Sequence, residues 1–111
     1  MVNNAKTLPR EITIVLPLAD NDGVDLSEEI EMVKAGVLGI ASGYSIMEQK
    51  GAWQEDDVVY DDASLRLVTV VEHDEQVQAL RELAIAACAL MRQQAIFFQE
   101  RVVKVEFLRA A

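Results

Sequence analysis

Residues 64–72 read SLRLVTVVE, and they set the frame for the rest of the chain. Four of the nine are β-branched, which suits a pleated, packed strand. Leu65, Leu67 and Val71 fall on one face, and Val68 and Val70 on the other. A strand that is apolar on both faces is one that its own domain, or a neighbour, covers twice. The stretch is followed by a helical period from about Asp74 to Arg92. Val77, Leu80, Ala84, Ala87, Cys88 and Met91 form its apolar stripe, widened by Leu83 and Leu90. Asp74 is the expected cap, and the small residues Ala84, Ala86, Ala87 and Ala89 permit close approach to a sheet.

Working outward, residues 11–18 (EITIVLPL) place Ile12, Ile14, Leu16 and Leu18 on one face and Thr13, Val15 and Pro17 on the other. Pro17 lacks an N–H and belongs near the strand end. A polar loop with a turn at Asp22-Gly23 leads to a helix over about 26–41. Asp25 or Ser27 caps it, and Glu28, Glu29 and Glu31 crowd its positive end. Leu26, Ile30, Val33, Val37 and Ile40 recur on one face, while Gly36 and Gly39 would allow close packing. Residues 44–50 (YSIMEQK) read as a second strand. GAWQEDD follows as a polar connection, with Val58 to Tyr60 able to pair back across it and Asp61-Asp62 interrupting. Residues 95–99 read as a fourth strand, Glu100-Arg101 as a tight turn, and 102–108 (VVKVEFL) as a short fifth strand alternating Val103, Val105 and Phe107 against Lys104 and Glu106.

The order β-α-β-β-α-β, with an extra C-terminal hairpin strand, predicts an α+β, ferredoxin-like sandwich: one antiparallel sheet with both helices on one face. The 111 residues, 51% hydrophobic, suit a single domain spanning 1–111, with 1–9 expected to be flexible. Two helices cover one sheet face only. Val15, Val68, Val70 and Met47 or Phe97 are left for the other, and a second copy of the chain is the simplest cover. A homo-oligomer, dimer or trimer, is therefore expected. The C-terminal strand could extend that sheet or swap onto a neighbour.

The net charge of −9 is uneven. Residues 51–75 carry one cation, Arg66, against eight acids, whereas 76–111 carry five cations against three acids. No basic patch is present for phosphate, so nucleic acid and anionic membrane are not expected partners. The longest apolar runs fall well short of a bilayer span, and MVNNAKTLPR lacks a signal-type apolar stretch, so a cytoplasmic location is expected.

Chemistry-bearing groups are sparse. His73 and Cys88 are single in their kinds. They cannot make a structural zinc site, and a thiol in a helical apolar stripe is usually inert. Asp20, Asp22, Gly23 and Glu29 resemble part of a calcium loop, but the first ligand position falls on Leu18. No cofactor, metal or catalytic group is expected. The most informative residue is Trp53, in a polar loop next to Tyr60 of the return strand; Trp and Tyr are enriched at binding hot spots. The expected ligand or partner site is the loop 51–60 and its return. Trp53 is the anchor there, with Gly51, Gln54, Glu55, Asp56, Asp57, Tyr60 and Asp62 around it. Arg66 pairs with Asp62 or meets an anion.

After the first helix, Gly43, Ser45 and Gly51 match a GxTxxxxxGxG pattern, with Gln54 near a loop glutamine. On those residues and the element order, the chain resembles the PII-like signalling proteins. The resemblance implies a trimeric ferredoxin-like fold with clefts between subunits. Trp53 replaces the second glycine, and FFQERVVKVEF stands where the family is basic, so ATP or 2-oxoglutarate binding does not carry over. The expected function is a non-enzymatic regulatory or binding domain acting as a homo-oligomer, with a protein or small ligand as its target. Two alternatives are an α+β-barrel enzyme or small-molecule-binding protein with an apolar pocket, and an acidic mimic of nucleic acid that occupies a basic partner.

Overall fold

A computed structural model describes residues 8–111. The expectation of a flexible 1–9 segment falls, for residues 1–7, outside the described residues. The element order is β1 (Arg10–Pro17), α1 (Ser27–Ala41), β2 (Ser45–Glu55), β3 (Val58–Val71), α2 (Asp74–Leu90) and β4 (Phe97–Val102). The strands form one sheet in the order β2-β3-β1-β4, with every neighbouring pair antiparallel. This is the ferredoxin-like α+β arrangement.

The period-2 pattern decides which way the sheet faces. Ile12, Ile14 and Leu16 of β1 and Leu65, Leu67 and Val71 of β3 are buried, and they meet Ile30, Val33 and Val37 of α1 and Val77, Leu80, Ala84 and Ala87 of α2. The opposite strand positions carry Val15, Arg66 and Met47 side by side, with Phe97 beyond Val15. Val68 and Val70 lie on that same outer face.

Both helices begin on local polar contacts. At α1 neither Asp25 nor Ser27 is the cap: the N-cap position falls on Leu26, whose side chain cannot cap, Ser27 is the first helical residue, and the Asp25 carboxylate accepts from the Ser27 N–H at 3.1 Å and the Ser27 hydroxyl at 2.9 Å. At α2 the expected cap, Asp74, is instead the first helical residue and pairs with Arg10. The N-cap is His73, whose N–H donates to Gln76 Oε1 at 3.1 Å. Helix α2 ends at Leu90, short of the expected Arg92. Arg92 takes a left-handed φ of 55°, and the Gln93 N–H reaches the Cys88 carbonyl at 2.8 Å. That is a Schellman-type stop made without glycine, so no residue announces it. Of the two helical glycines, only Gly36 faces a neighbour: a methyl there would lie 3.0 Å from Leu83 Cδ1, while Gly39 faces open space.

Three expectations about strands are corrected. The fourth strand runs through Glu100-Arg101 rather than turning there. Arg101 pairs with Glu11 at 3.0 Å and Glu100 with Arg81 at 3.2 Å, so both side chains are anchored to neighbours while the backbone stays in register with β1. No fifth strand forms among the described residues: 103–111 leave the sheet after the Val103 N–H donates to the Pro9 carbonyl at 3.0 Å. And the polar connection after Lys50 is not a loop.

Candidate functional site

Beyond Lys50, β2 continues to Glu55 and turns at once into β3 at Val58. The two-residue turn is Asp56-Asp57, with φ of 51° and 66°. Two successive left-handed residues are the signature of a type I′ hairpin, and aspartate tolerates that region better than most residues other than glycine and asparagine. Strand β1 ends at Pro17, opposite Ser64. The paired segments 50–55 and 58–63 therefore project past the rest of the sheet as a two-stranded arm. The fold reaches 55 Å along its longest axis and has a radius of gyration of 16.4 Å, against about 13 Å for a compact domain of this length.

The arm is held by its own cross-strand pairs. Trp53 lies directly opposite Tyr60, with their rings stacked at 4.4 Å between centroids and 19° between planes. Pairing fixes the faces. Gly51, Trp53, Glu55, Tyr60 and Asp62 share the outer face of the sheet with Arg66; Gln54, opposite Val59, is on the reverse; Asp56 and Asp57 occupy the tip. Arg66 and Asp62 are four residues apart on one strand, about 13 Å. Neither belongs to an ion pair among the described residues.

At the base of the arm lies an open-sided cleft of about 630 Å³. Its arm wall is Trp53, Tyr60, Asp61 and Asp62; Val15, Pro17, Ser64 and, at the start of β4, Phe97 supply the sheet wall; Asp20 and Asn21 come from the β1–α1 loop, and Gln93 and Ile96 from the α2–β4 turn. Asp20 joins those last two walls. Its Oδ1 accepts from the Asp22 and Val24 N–H groups at 2.9 and 2.8 Å, and its Oδ2 accepts from Arg92 Nε at 2.7 Å. The Arg92 hydrogen bond, seconded by the backbone of Val24, holds the Asp20 carboxyl below its ordinary range. Glu29 adds a second carboxylate to Arg92 at 3.5 Å. Asp20 and Glu29, two of the residues that resemble a calcium loop, thus serve an internal latch.

The sequence brought Trp53, Tyr60 and Asp62 into one place and missed the loop residues that face them. Asp20-Asn21-Asp22-Gly23 signalled a turn, but nothing in the spacing said that it would stand beside residues 93–97. Cys88 and His73 sit fifteen positions apart on and just before the same helix, roughly 22 Å, so they cannot form a nucleophile–base pair. The Cys88 thiol instead donates to the Ala84 carbonyl at 3.5 Å. Among the described residues no group of three or more His, Cys, Asp or Glu side chains is placed to hold a metal ion. No helix among them is long and apolar enough to cross a membrane.

No family model matches the chain, and no curated protein matches it. Solved structures do. A phage SAM lyase in complex with S-methyl-5'-thioadenosine is 13% identical, with a TM-score of 0.67 over 92% of this chain and 87% of that one. The periplasmic divalent cation tolerance protein CutA of Archaeoglobus fulgidus is 13% identical, with a TM-score of 0.67 over 90% of this chain and 88% of its own. CutA1 of Oryza sativa is 12% identical, with a TM-score of 0.69 over 92% and 85%. At these identities the likeness is one of fold.

Proposed function

We propose that this chain is a homo-oligomeric, non-enzymatic binding domain whose subunits pack through the outer face of the sheet and whose projecting arm and cleft take a ligand at the subunit boundary. The observation that carries the reading is the largely apolar outer face: Val15, Met47, Val68, Val70 and Phe97 lie around Arg66 on the side of the sheet away from both helices. The PII-like resemblance, with its clefts between subunits, points the same way.

The cleft favours a neutral or cationic ligand with a flat apolar part. Trp53, Tyr60 and Phe97 offer ring surfaces, Asp61 and Asp62 offer acceptors, and no Lys or Arg is among the described residues that line it. Asp61 and Asp62 are consecutive on a strand and point to opposite faces, which suits recognition and not paired acid–base work. S-methyl-5'-thioadenosine, present in the phage lyase structure, is an uncharged purine nucleoside and a fitting first probe. Native mass spectrometry of the purified protein, with and without that nucleoside, reads stoichiometry and occupancy together. The reading expects a multimer whose Trp53 emission changes on adding the nucleoside or an organic cation but not on adding inorganic phosphate. A monomer, or a Trp53 signal that only anions move, would overturn it.

A further inference from the structure

A surface helix ordinarily carries charge on the side turned away from its sheet. Here Ala35 to Ala41 of α1 and Leu83 to Met91 of α2 carry none. Met32, Leu38 and Ile85 are 59%, 49% and 64% exposed. Between the two helices runs an open groove of about 300 Å³. Val33 and Ala87, both buried, form its floor, and Met32, Leu83, Ala86 and Leu90 form its walls. None of these six side chains bears a nitrogen or an oxygen, so the groove selects aliphatic groups and not a polar ligand.

Charge decides what fits. The helices run antiparallel, since Gly36 meets Leu83 while Gln76 Nε2 donates to the Ile40 carbonyl at 3.0 Å. Glu28 stands one turn before Met32 and Glu82 one turn before Ala86, so each shares a face with a groove wall and the two mark opposite ends. Neither belongs to an ion pair among the described residues. The cations of both helices, and of the turn after α2, are already engaged: Lys34 by Glu31 at 2.6 Å, Arg81 by Glu100 at 3.2 Å, and Arg92 by Asp20 and Glu29. A second copy laid helix face to helix face would bring these glutamates together, which repels; a basic partner satisfies them.

We infer that the groove between α1 and α2 binds a basic amphipathic helix of another protein. Its aliphatic side chains, at helical spacing, enter between Met32, Leu83, Ala86 and Leu90, and Lys or Arg on either side of that stripe meets Glu28 and Glu82. The groove lies on the helical side of the sheet, away from the outer face and the arm. The inference therefore goes beyond the oligomer and the ligand cleft proposed above and stands without them.

The test is a selection. A phage-displayed library of randomised peptides about 15 residues long, near the shortest that hold a helix alone, is panned on the full-length protein. Recovered sequences are expected to place aliphatic residues at helical spacing with Lys or Arg around them. The best of them, synthesised, should lose about tenfold or more in affinity for Ala86→Gln and for Met32→Gln. Both positions are exposed and neither change alters the charge, so the fold is kept. Glu28→Gln with Glu82→Gln should weaken binding about threefold or more at low salt and less at high salt. A selection that yields no binder, one that yields only acidic or uncharged sequences, or peptides indifferent to Ala86→Gln and Met32→Gln would overturn the inference. So would a native mass spectrum in which Ala86→Gln breaks the parent's assembly, because a second copy then fills the groove.

Discussion

Replacing Trp53 by alanine should open the arm without unfolding the domain. Trp53 is 50% exposed, so it buries roughly 100 Å², worth about 2.5 kcal/mol as an upper figure. Its stack on Tyr60 adds about 0.5–1.5 kcal/mol. Allowing for residual contacts, a loss of about 2–3 kcal/mol is expected, all of it local. Two-stranded hairpins standing alone are marginal in water, so that loss is comparable to the arm's whole local stability. Hydrogen exchange at one fixed protein concentration reads it directly. Amides in 52–55 and 58–61 should exchange about 30- to 150-fold faster, while those of Ile12, Ile14, Leu65 and Leu67 keep their protection. Trp53→Phe should recover part of the difference. Unchanged arm exchange would refute the claim that the aromatic pair holds the ribbon. Equal loss in arm and core would show that Trp53 belongs to the core instead.

Asp57→Gly relieves a left-handed aspartate at the tip and should slow arm exchange, stabilising the ribbon by about 1 kcal/mol; faster exchange would contradict the turn assignment. Gly39→Ala places its methyl in open space on α1 and should raise stability by about 1 kcal/mol in urea unfolding, whereas Gly36→Leu must displace Leu83 and should lower it. The Asp20 latch gives a pH signature. Because Arg92 holds the folded carboxyl below 3.8, the unfolded chain binds the proton first, so the contribution is complete above about pH 4 and drains away as pH falls through the lower folded value. Urea unfolding from about pH 6 to pH 3 should therefore show a shallower acid limb in Asp20→Asn than in the parent; parallel limbs would mean that Asp20 does not couple to folding.

Hydrophobic period alone located both helices and the first and third strands, because burial of Ile12, Leu67, Val33 or Leu80 leaves a direct trace in spacing. The arm escaped because its stability does not come from burial. Residues 51–62 carry five acids, and the turn lacks glycine, so every local signal said loop; only the cross-strand match of Trp53 to Tyr60 and the β-branched pair Val58-Val59 argued otherwise. Glu100-Arg101 looked like a turn for the same reason, and its ion pairs to other elements are invisible until the elements are assembled. The cleft could not be foreseen, since it exists where β1 stops short of β3 and two loops distant in sequence meet through Asp20 and Arg92. The apolar back face, by contrast, is plain in the spacing of Val15, Val68 and Val70.

Sedimentation velocity over a wide concentration range tests that face most directly. The expected particle is a whole multiple of 12.3 kDa that persists at micromolar concentration, and Met47→Asp together with Val68→Asp, two changes on the outer face with the core untouched, should reduce it to a folded single chain. A parent protein that sediments as one 12.3 kDa chain at every concentration would show that the outer face is not an interface between copies.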